Sequence, residues 1–287
     1  MEQEKQRMYF KRLGLTQTDT TVGEEQLNAI IRAHLEKIPF ENLDVCDFHK
    51  VPALDPDSLF EKIITGRRGG YCFELNRLLL ALLESLGYEV HPVAVRVMWN
   101  RTVLPPTTHM GIIAQCDGKH YYCDVGYGGP GPKGLLRLTP ESQTICGEQF
   151  RVTQAGLPEQ SDVQPETPEC YAARIEASER STARHGFTEY KIEKDYHGEW
   201  KAVLQFEDHP CRPVDFEPLN FYCAKNPAVL FTQKRVLYLY MPNGWKSLMD
   251  MELTISENGE ITKTVYHQKE QLEQGLLEEF GIQISLP

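Results

Sequence analysis

The chain reads as an α+β protein in three parts, and three observations predict it. Apolar residues recur at helical spacing up to about Gly87. Beyond Gly87, β-branched runs punctuated by an Asp-Gly turn take over. From about residue 208 short strands are mixed with loop and end in an amphipathic helix. Helices, then antiparallel strands, then a mixed end argue against a doubly wound parallel sheet. The expected parts are 1–87, 88–207 and 208–287, and 287 residues are enough for more than one core.

The helices come first. Leu27, Ile30, Ile31, Leu35 and Ile38 place a helix over Glu24–Ile38, which Pro39 ends. Pro56-Asp57-Ser58 opens a short helix through Ile63 and Ile64, broken by Gly66 and Gly69-Gly70. Phe73, Leu75, Leu78, Leu79, Leu82, Leu83 and Leu86 line a third helix, with Gly87 as its C-terminal cap.

Val90, Val93, Val95 and Val97 then predict a strand. Met110–Cys116 and Lys119–Val125 flank Asp117-Gly118, the strongest short-range hairpin signal. Further strands are expected over Glu148–Thr153, Tyr171–Ile175, Phe187–Ile192 and Trp200–Phe206, making a small sheet or barrel. Gly156–Glu169, rich in Pro, Glu and Gln, reads as an exposed loop. Asp208–Asn226 reads as loop with a short helix. Val236–Met241 and Leu253–Ile255 read as strands joined through Pro242-Asn243-Gly244. Gln268–Phe280 is the last helix.

Composition narrows the classes of function. A net charge of −11 disfavours nonspecific binding to nucleic acid or to an anionic membrane. There is no apolar run of about 18 residues, and the charged start Met1–Lys5 does not resemble a signal peptide. The eight cysteines are scattered, without a Cys-x-x-Cys pair or a Cys/His cluster, so a metal site is not expected. A cytoplasmic, reduced protein follows as the expectation.

Cys72 stands apart from the other cysteines. It follows Gly69-Gly70 and opens the third helix, where the helix dipole favours thiolate. The two glycines are expected to let a substrate carbonyl approach, and free N–H groups at the helix start could receive an oxyanion. Arg67 and Arg68 add positive charge nearby.

A nucleophilic thiol needs a base, and the base needs an orienter. Counting back from a two-residue Asp117-Gly118 turn, Asp124 faces Gly111, and His109 lies on the same face two residues away. His109 and Asp124 are then diagonal neighbours, roughly 7–8 Å apart at the backbone, with Gly111 leaving room for the ring. His120 shares the Asp124 face and is the fallback base. His185, His197, His209 and His267 sit in polar contexts that suit the surface.

Four stretches then resemble the arylamine N-acetyltransferase family: Ile38-Pro39-Phe40-Glu41-Asn42-Leu43, Arg68-Gly69-Gly70-Tyr71-Cys72, Thr108-His109-Met110 and Cys123-Asp124-Val125-Gly126-Tyr127-Gly128. The resemblance implies a helical bundle, a β-barrel and an α/β lid around a cysteine-protease-like Cys-His-Asp core. It implies transfer of an acetyl group from acetyl-CoA, without a metal, to an arylamine, arylhydrazine or N-hydroxyarylamine, and so a part in xenobiotic metabolism. Carried over, Cys72 is the nucleophile, His109 the base and later acid, and Asp124 the orienter. Glu41 and Arg68 become a structural pair, and Tyr127, Phe40 and Tyr71 walls of the acceptor pocket. Many members carry a Ser-Pro-x-Ser-x-Phe-like stretch near the coenzyme; here it reads Asn226-Pro227-Ala228-Val229-Leu230-Phe231, so no coenzyme-binding side chain is assigned. The rival readings are an amide synthase using a larger or carrier-bound acyl donor, a cysteine hydrolase or transglutaminase-like enzyme, and a non-enzymatic binding protein.

Overall fold

The computed structural model describes residues 1–16, 22–154 and 187–287. The strand expected at Tyr171–Ile175, the loop expected at Gly156–Glu169, Cys170 and His185 lie outside them. The described elements run α1 (Gln3–Leu13), α2 (Glu24–Lys37), β1 (Phe40–Glu41), α3 (Leu43–Cys46), α4 (Pro56–Phe60), a π-type turn over Glu61–Thr65, and α5 (Cys72–Leu86). Then follow β2 (Glu89–Val97), β3 (Thr107–Cys116), β4 (Lys119–Cys123), β5 (Leu136–Arg137), β6 (Gln143–Ile145), β7 (Glu148–Gln154), β8 (Glu189–Tyr196) and β9 (Glu199–Glu207). The C-terminal part has α6 (Glu217–Lys225), α7 (Leu230–Gln233), β10 (Val236–Met241), β11 (Gly244–Met249), β12 (Glu252–Glu257), β13 (Glu260–Val265) and α8 (Lys269–Phe280).

Helix α5 is the pillar of the molecule. Its leucines are buried against α1, α2 and the even-numbered face of β3, including Met110, Ile112 and Ala114. Gly87 ends it at φ 92, donating to the Glu84 carbonyl while Tyr88 donates to Leu83.

The hairpin forms as its turn dictates. Asp117 and Gly118 both have positive φ, 51 and 70, the geometry that matches the twist of two antiparallel strands. Cys116 pairs with Lys119 and Ile112 with Cys123, which is the register that the two-residue turn implies.

Strands β2 to β9 form one antiparallel sheet in the order β5-β4-β3-β2-β9-β8-β7-β6. Its edges curl back together, because the Gln143 side chain on β6 bonds both the N–H (2.9 Å) and the C=O (2.8 Å) of Arg137 on β5. The result is the nearly closed barrel expected for this part. Val93, Val95, Ile113, Tyr122, Phe150 and Phe206 fill its interior. Strand β3 is therefore buried on both faces, one in the barrel and one on α5.

The C-terminal sheet differs from the sequence expectation. Pro242-Asn243 joins β10 to β11, and β12 and β13 complete a meander, so β11 and β13 are additional strands. Strand β13 is exposed at every residue, so it carries no apolar alternation to read. The meander takes β1 as its fifth strand: Phe40 pairs with Tyr238 and Glu41 with Leu237. Asn42 then clamps the C-terminal segment, donating to the carbonyls of Phe231 (2.9 Å) and Lys234 (2.8 Å) and accepting from Val236 N–H (2.7 Å).

Candidate active site

Cys72 is the first residue of α5, and its surroundings are built by buried ions. Glu74, on the same first turn, accepts from the Tyr71 N–H (3.1 Å) and holds Lys62 (2.7 Å). Lys62 also meets Asp44 at 2.7 Å, and Asp44 meets Arg68 at 3.1 Å. Arg68 is 2.7 Å from Glu41, whose other oxygen accepts from the Leu43 N–H. The expected Glu41–Arg68 pair is thus one edge of a five-residue network that anchors the turn before Cys72. Burial works against the charge on Arg68, yet Glu41 and Asp44 hold its pKa above the ordinary value. Arg68 is committed to these carboxylates, which corrects the expectation that it supplies positive charge to the thiol.

The two glycines serve packing. A Cβ on Gly69 would lie 1.9 Å from the Pro39 carbonyl oxygen, and one on Gly70 would lie 2.8 Å from Glu74 Cβ. The close approach they permit is by neighbouring chain, which replaces the expectation of room for a substrate carbonyl.

His109 and Asp124 meet as the register implies. His109 Nε2 is 2.6 Å from Asp124 Oδ2, with both side chains buried. The space beside Gly111 goes to Tyr122: a Cβ there would lie 2.5 Å from its ring, and the Tyr122 hydroxyl donates to Asp124 Oδ2 at 2.9 Å. That corrects the expectation that Gly111 makes room for the histidine. Asp124 Oδ1 accepts from Asn76 Nδ2 and Gly126 N–H, each at 2.9 Å. Burial alone would raise this carboxyl, but His109, Asn76 and Gly126 hold it below its ordinary value.

Asn76 was not read from the sequence. It sits one turn beyond Cys72 on the same helix face, fully buried. Besides Asp124 it donates to the Met110 carbonyl (2.6 Å) and accepts from Val125 N–H (2.9 Å). The helix carrying the thiol is thereby pinned to both sides of the hairpin. Gly126 completes the fit, since a Cβ there would lie 2.6 Å from Cys72 Cα.

Cys72 and His109 both line a cavity of about 550 Å³. The Cys72 thiol donates to the Thr108 carbonyl at 3.8 Å, so it rests against the residue preceding His109. Its pKa runs opposite to expectation. Burial lifts it well above the ordinary value, and Cys223 and Asp124 push the same way. Backbone N–H groups of Met110 and Phe73 oppose them without prevailing. The dipole at one helix end is a smaller effect than full desolvation of a thiolate.

Phe40 and Tyr127 line the cavity, with the Tyr127 ring 5.7 Å from His109. Tyr71 does not. It is wholly buried, its hydroxyl bonded to Asn220 and its ring edge-on to Phe73 and Phe231, so it is a core residue. Ala228, Val229, Leu230 and Phe231 form another wall of the cavity, which makes the segment lacking the small hydroxyls an apolar one. His120 is exposed at the far end of the hairpin, bearing nothing on the cavity. His197, His209 and His267 are also exposed. Among the described residues no His/Cys/Asp/Glu group suits a metal, and no helix is long and apolar enough to cross a membrane.

A buried thiol at a helix start and a carboxylate-held imidazole, lining one cavity, make the class an enzyme with a cysteine nucleophile for acyl groups. A family model described as N-acetyltransferase matches residues 25–287. An arylamine N-acetyltransferase / N-hydroxyarylamine O-acetyltransferase of Salmonella typhimurium is 30% identical over 253 residues, 87% of this chain and 75% of that protein. The chain belongs to the arylamine N-acetyltransferase family. Among solved structures, the arylamine N-acetyltransferase from Salmonella typhimurium superposes with a TM-score of 0.82 at 26% identity, covering 99% of this chain and 93% of that one. That of Mycobacterium marinum, solved in complex with CoA, superposes with a TM-score of 0.76 at 26% identity, covering 96% and 92%.

Proposed function

We propose that this chain acetylates arylamines, arylhydrazines or N-hydroxyarylamines with acetyl-CoA by a ping-pong reaction through an acetyl-Cys72 thioester. One observation carries the reading: Cys72 and His109 line one apolar cavity while His109 Nε2 is committed to Asp124. That leaves Nδ1 as the nitrogen for the sulfur. In this reading 1–87 supplies the nucleophile, 88–207 the base and its orienter, and 208–287 the lid, in a cytoplasmic protein.

Burial disfavours a bare thiolate at Cys72, so the attack needs a partner for its proton. His109 takes the Cys72 proton, and Asp124 stabilises the imidazolium that forms. The sulfur adds to the acetyl carbonyl, and the Phe73 and Met110 N–H groups near it are the candidate donors to the oxyanion. The tetrahedral species collapses, and His109 returns the proton to the departing CoA sulfur. The arylamine then attacks the thioester, His109 accepts its proton, and Cys72 leaves and is reprotonated. An arylamine suits this half-reaction because its nitrogen is uncharged at neutral pH. Apolar walls limit the water that would compete with it.

Steady-state kinetics test the reading. Parallel double-reciprocal lines for acetyl-CoA and an arylamine are expected. CoA release that is independent of amine would mark a hydrolase. Turnover only with longer or carrier-bound donors would mark an amide synthase.

A further inference from the structure

The cavity holds a second sulfur. Cys223, on α6, is fully buried and lines the same wall space as Cys72. Its thiol donates to the Thr108 carbonyl at 3.7 Å, the oxygen that Cys72 reaches at 3.8 Å. Two free thiols, from helices 151 positions apart in sequence, thus converge on one acceptor. Cys46, Cys116, Cys123, Cys146 and Cys211 are also free, and none of them lines this cavity. One weak acceptor serving two thiols is an unremarkable way to bury cysteines singly, yet it brings both sulfurs to one carbonyl in the wall of the cavity that His109 also lines.

We propose that Cys223 is a resolving thiol: under hydrogen peroxide it closes a reversible disulfide with Cys72, withdrawing the nucleophile and shielding it from further oxidation. The inference rests on the proposed reactivity of Cys72. In the first step the Cys72 sulfur attacks one peroxide oxygen and the O–O bond breaks. Cys72 becomes a sulfenic acid, and the released hydroxide takes the proton held by His109 to leave as water. In the second step the Cys223 sulfur, giving its proton to His109, attacks the Cys72 sulfur. The S–O bond breaks, and the hydroxide recovers that proton as a second water. Two thiols and one peroxide give one disulfide and two waters. Burial pushes the Cys223 thiol up to about 12, so, like that of Cys72, it reacts only when a base takes its proton. The bond would tie α6 to the start of α5 within the cavity wall.

The test uses the full reduced chain, assayed for acetyl transfer before any oxidant is added. Failure there overturns the proposed function and is seen separately. Stoichiometric hydrogen peroxide follows, then alkylation of free thiols and peptide mass mapping. A Cys72–Cys223 linked peptide is expected, with activity restored by dithiothreitol. In Cys223→Ser, measured against its own untreated rate, Cys72 should reach the sulfinic acid, with roughly tenfold less activity recovered. The linked peptide in the unmodified chain needs no variant, so a poorly folding Cys223→Ser leaves the test intact. Sulfinic acid at Cys72 without a linked peptide, or a bond to another cysteine, would overturn the inference.

Discussion

Asn76 Nδ2 lies 2.9 Å from Asp124 Oδ1, and through this bond the helix that carries Cys72 also holds the carboxylate that holds His109. The nucleophile and its base come from different parts of the chain, and this amide sets their relative position. Asn76→Ala would strand the Met110 carbonyl and Val125 N–H in a buried site. The expected outcome is a stability loss of about 2–3 kcal/mol by chemical denaturation. kcat should fall by about 10²-fold, the scale of an ångström-sized misplacement. A normal kcat would show that the alignment does not depend on it.

Asp124→Asn keeps the shape of the orienter and removes its charge. kcat/KM is expected to fall by about 10²–10⁴-fold. Iodoacetamide alkylation of Cys72 should slow in step, because burial leaves the isolated thiol protonated and its reactivity depends on His109. In the unmodified protein Cys72 should still label faster than the more open Cys46, Cys146 and Cys211. In His109→Gln it should become slower than all three.

Glu74 links the Cys72 turn to pH. Burial, opposed by Lys62, pushes its carboxyl up to about 7 from an ordinary 4.5. A folded-state pKa above the unfolded value means that folding favours the protonated acid. Its stabilising contribution is complete below pH 4.5 and is lost as pH rises through about 7. Unfolding free energies of the unmodified chain minus those of Glu74→Gln, which cancels other groups, should decline across that window. A flat difference would show that Glu74 titrates normally.

Tyr71 and Tyr127 should separate cleanly. Tyr71→Phe removes the hydroxyl bonded to Asn220 and is expected to cost about 1 kcal/mol of stability, with KM for the arylamine unaltered. Tyr127→Ala opens the wall beside His109 and should raise that KM. A KM change in Tyr71→Phe would return Tyr71 to the pocket.

Gly69→Ala forces a Cβ against the Pro39 carbonyl oxygen at 1.9 Å, a clash with backbone that cannot rotate away. The expected loss of stability exceeds about 4 kcal/mol, and a thermal melt reads it directly. A native-like melting temperature would mean that the turn can move.

Where local chemistry determines geometry, the sequence was legible. Asp117-Gly118 demands a two-residue turn, and that turn alone places His109 diagonal to Asp124. The Gly87 cap and the leucine spacing of α5 are equally local. Long-range relationships were not legible. Phe40-Glu41 is too short to read as a strand, and only its pairing with Tyr238 and Leu237 makes it one. Tyr122 looks like any barrel aromatic until its hydroxyl meets Asp124. Asn76 carries no charge and no motif, though its position four residues after Cys72 was a usable signal. At Cys72 the helix end is visible in the sequence, but the burial that outweighs its dipole is not.

The most direct test of the central claim is intact mass after mixing the chain with acetyl-CoA and no acceptor. The account predicts a single added acetyl group, absent in Cys72→Ala and discharged when an arylamine is added. A folded protein that gains no acetyl group, or that gains one equally well in Cys72→Ala, would contradict it.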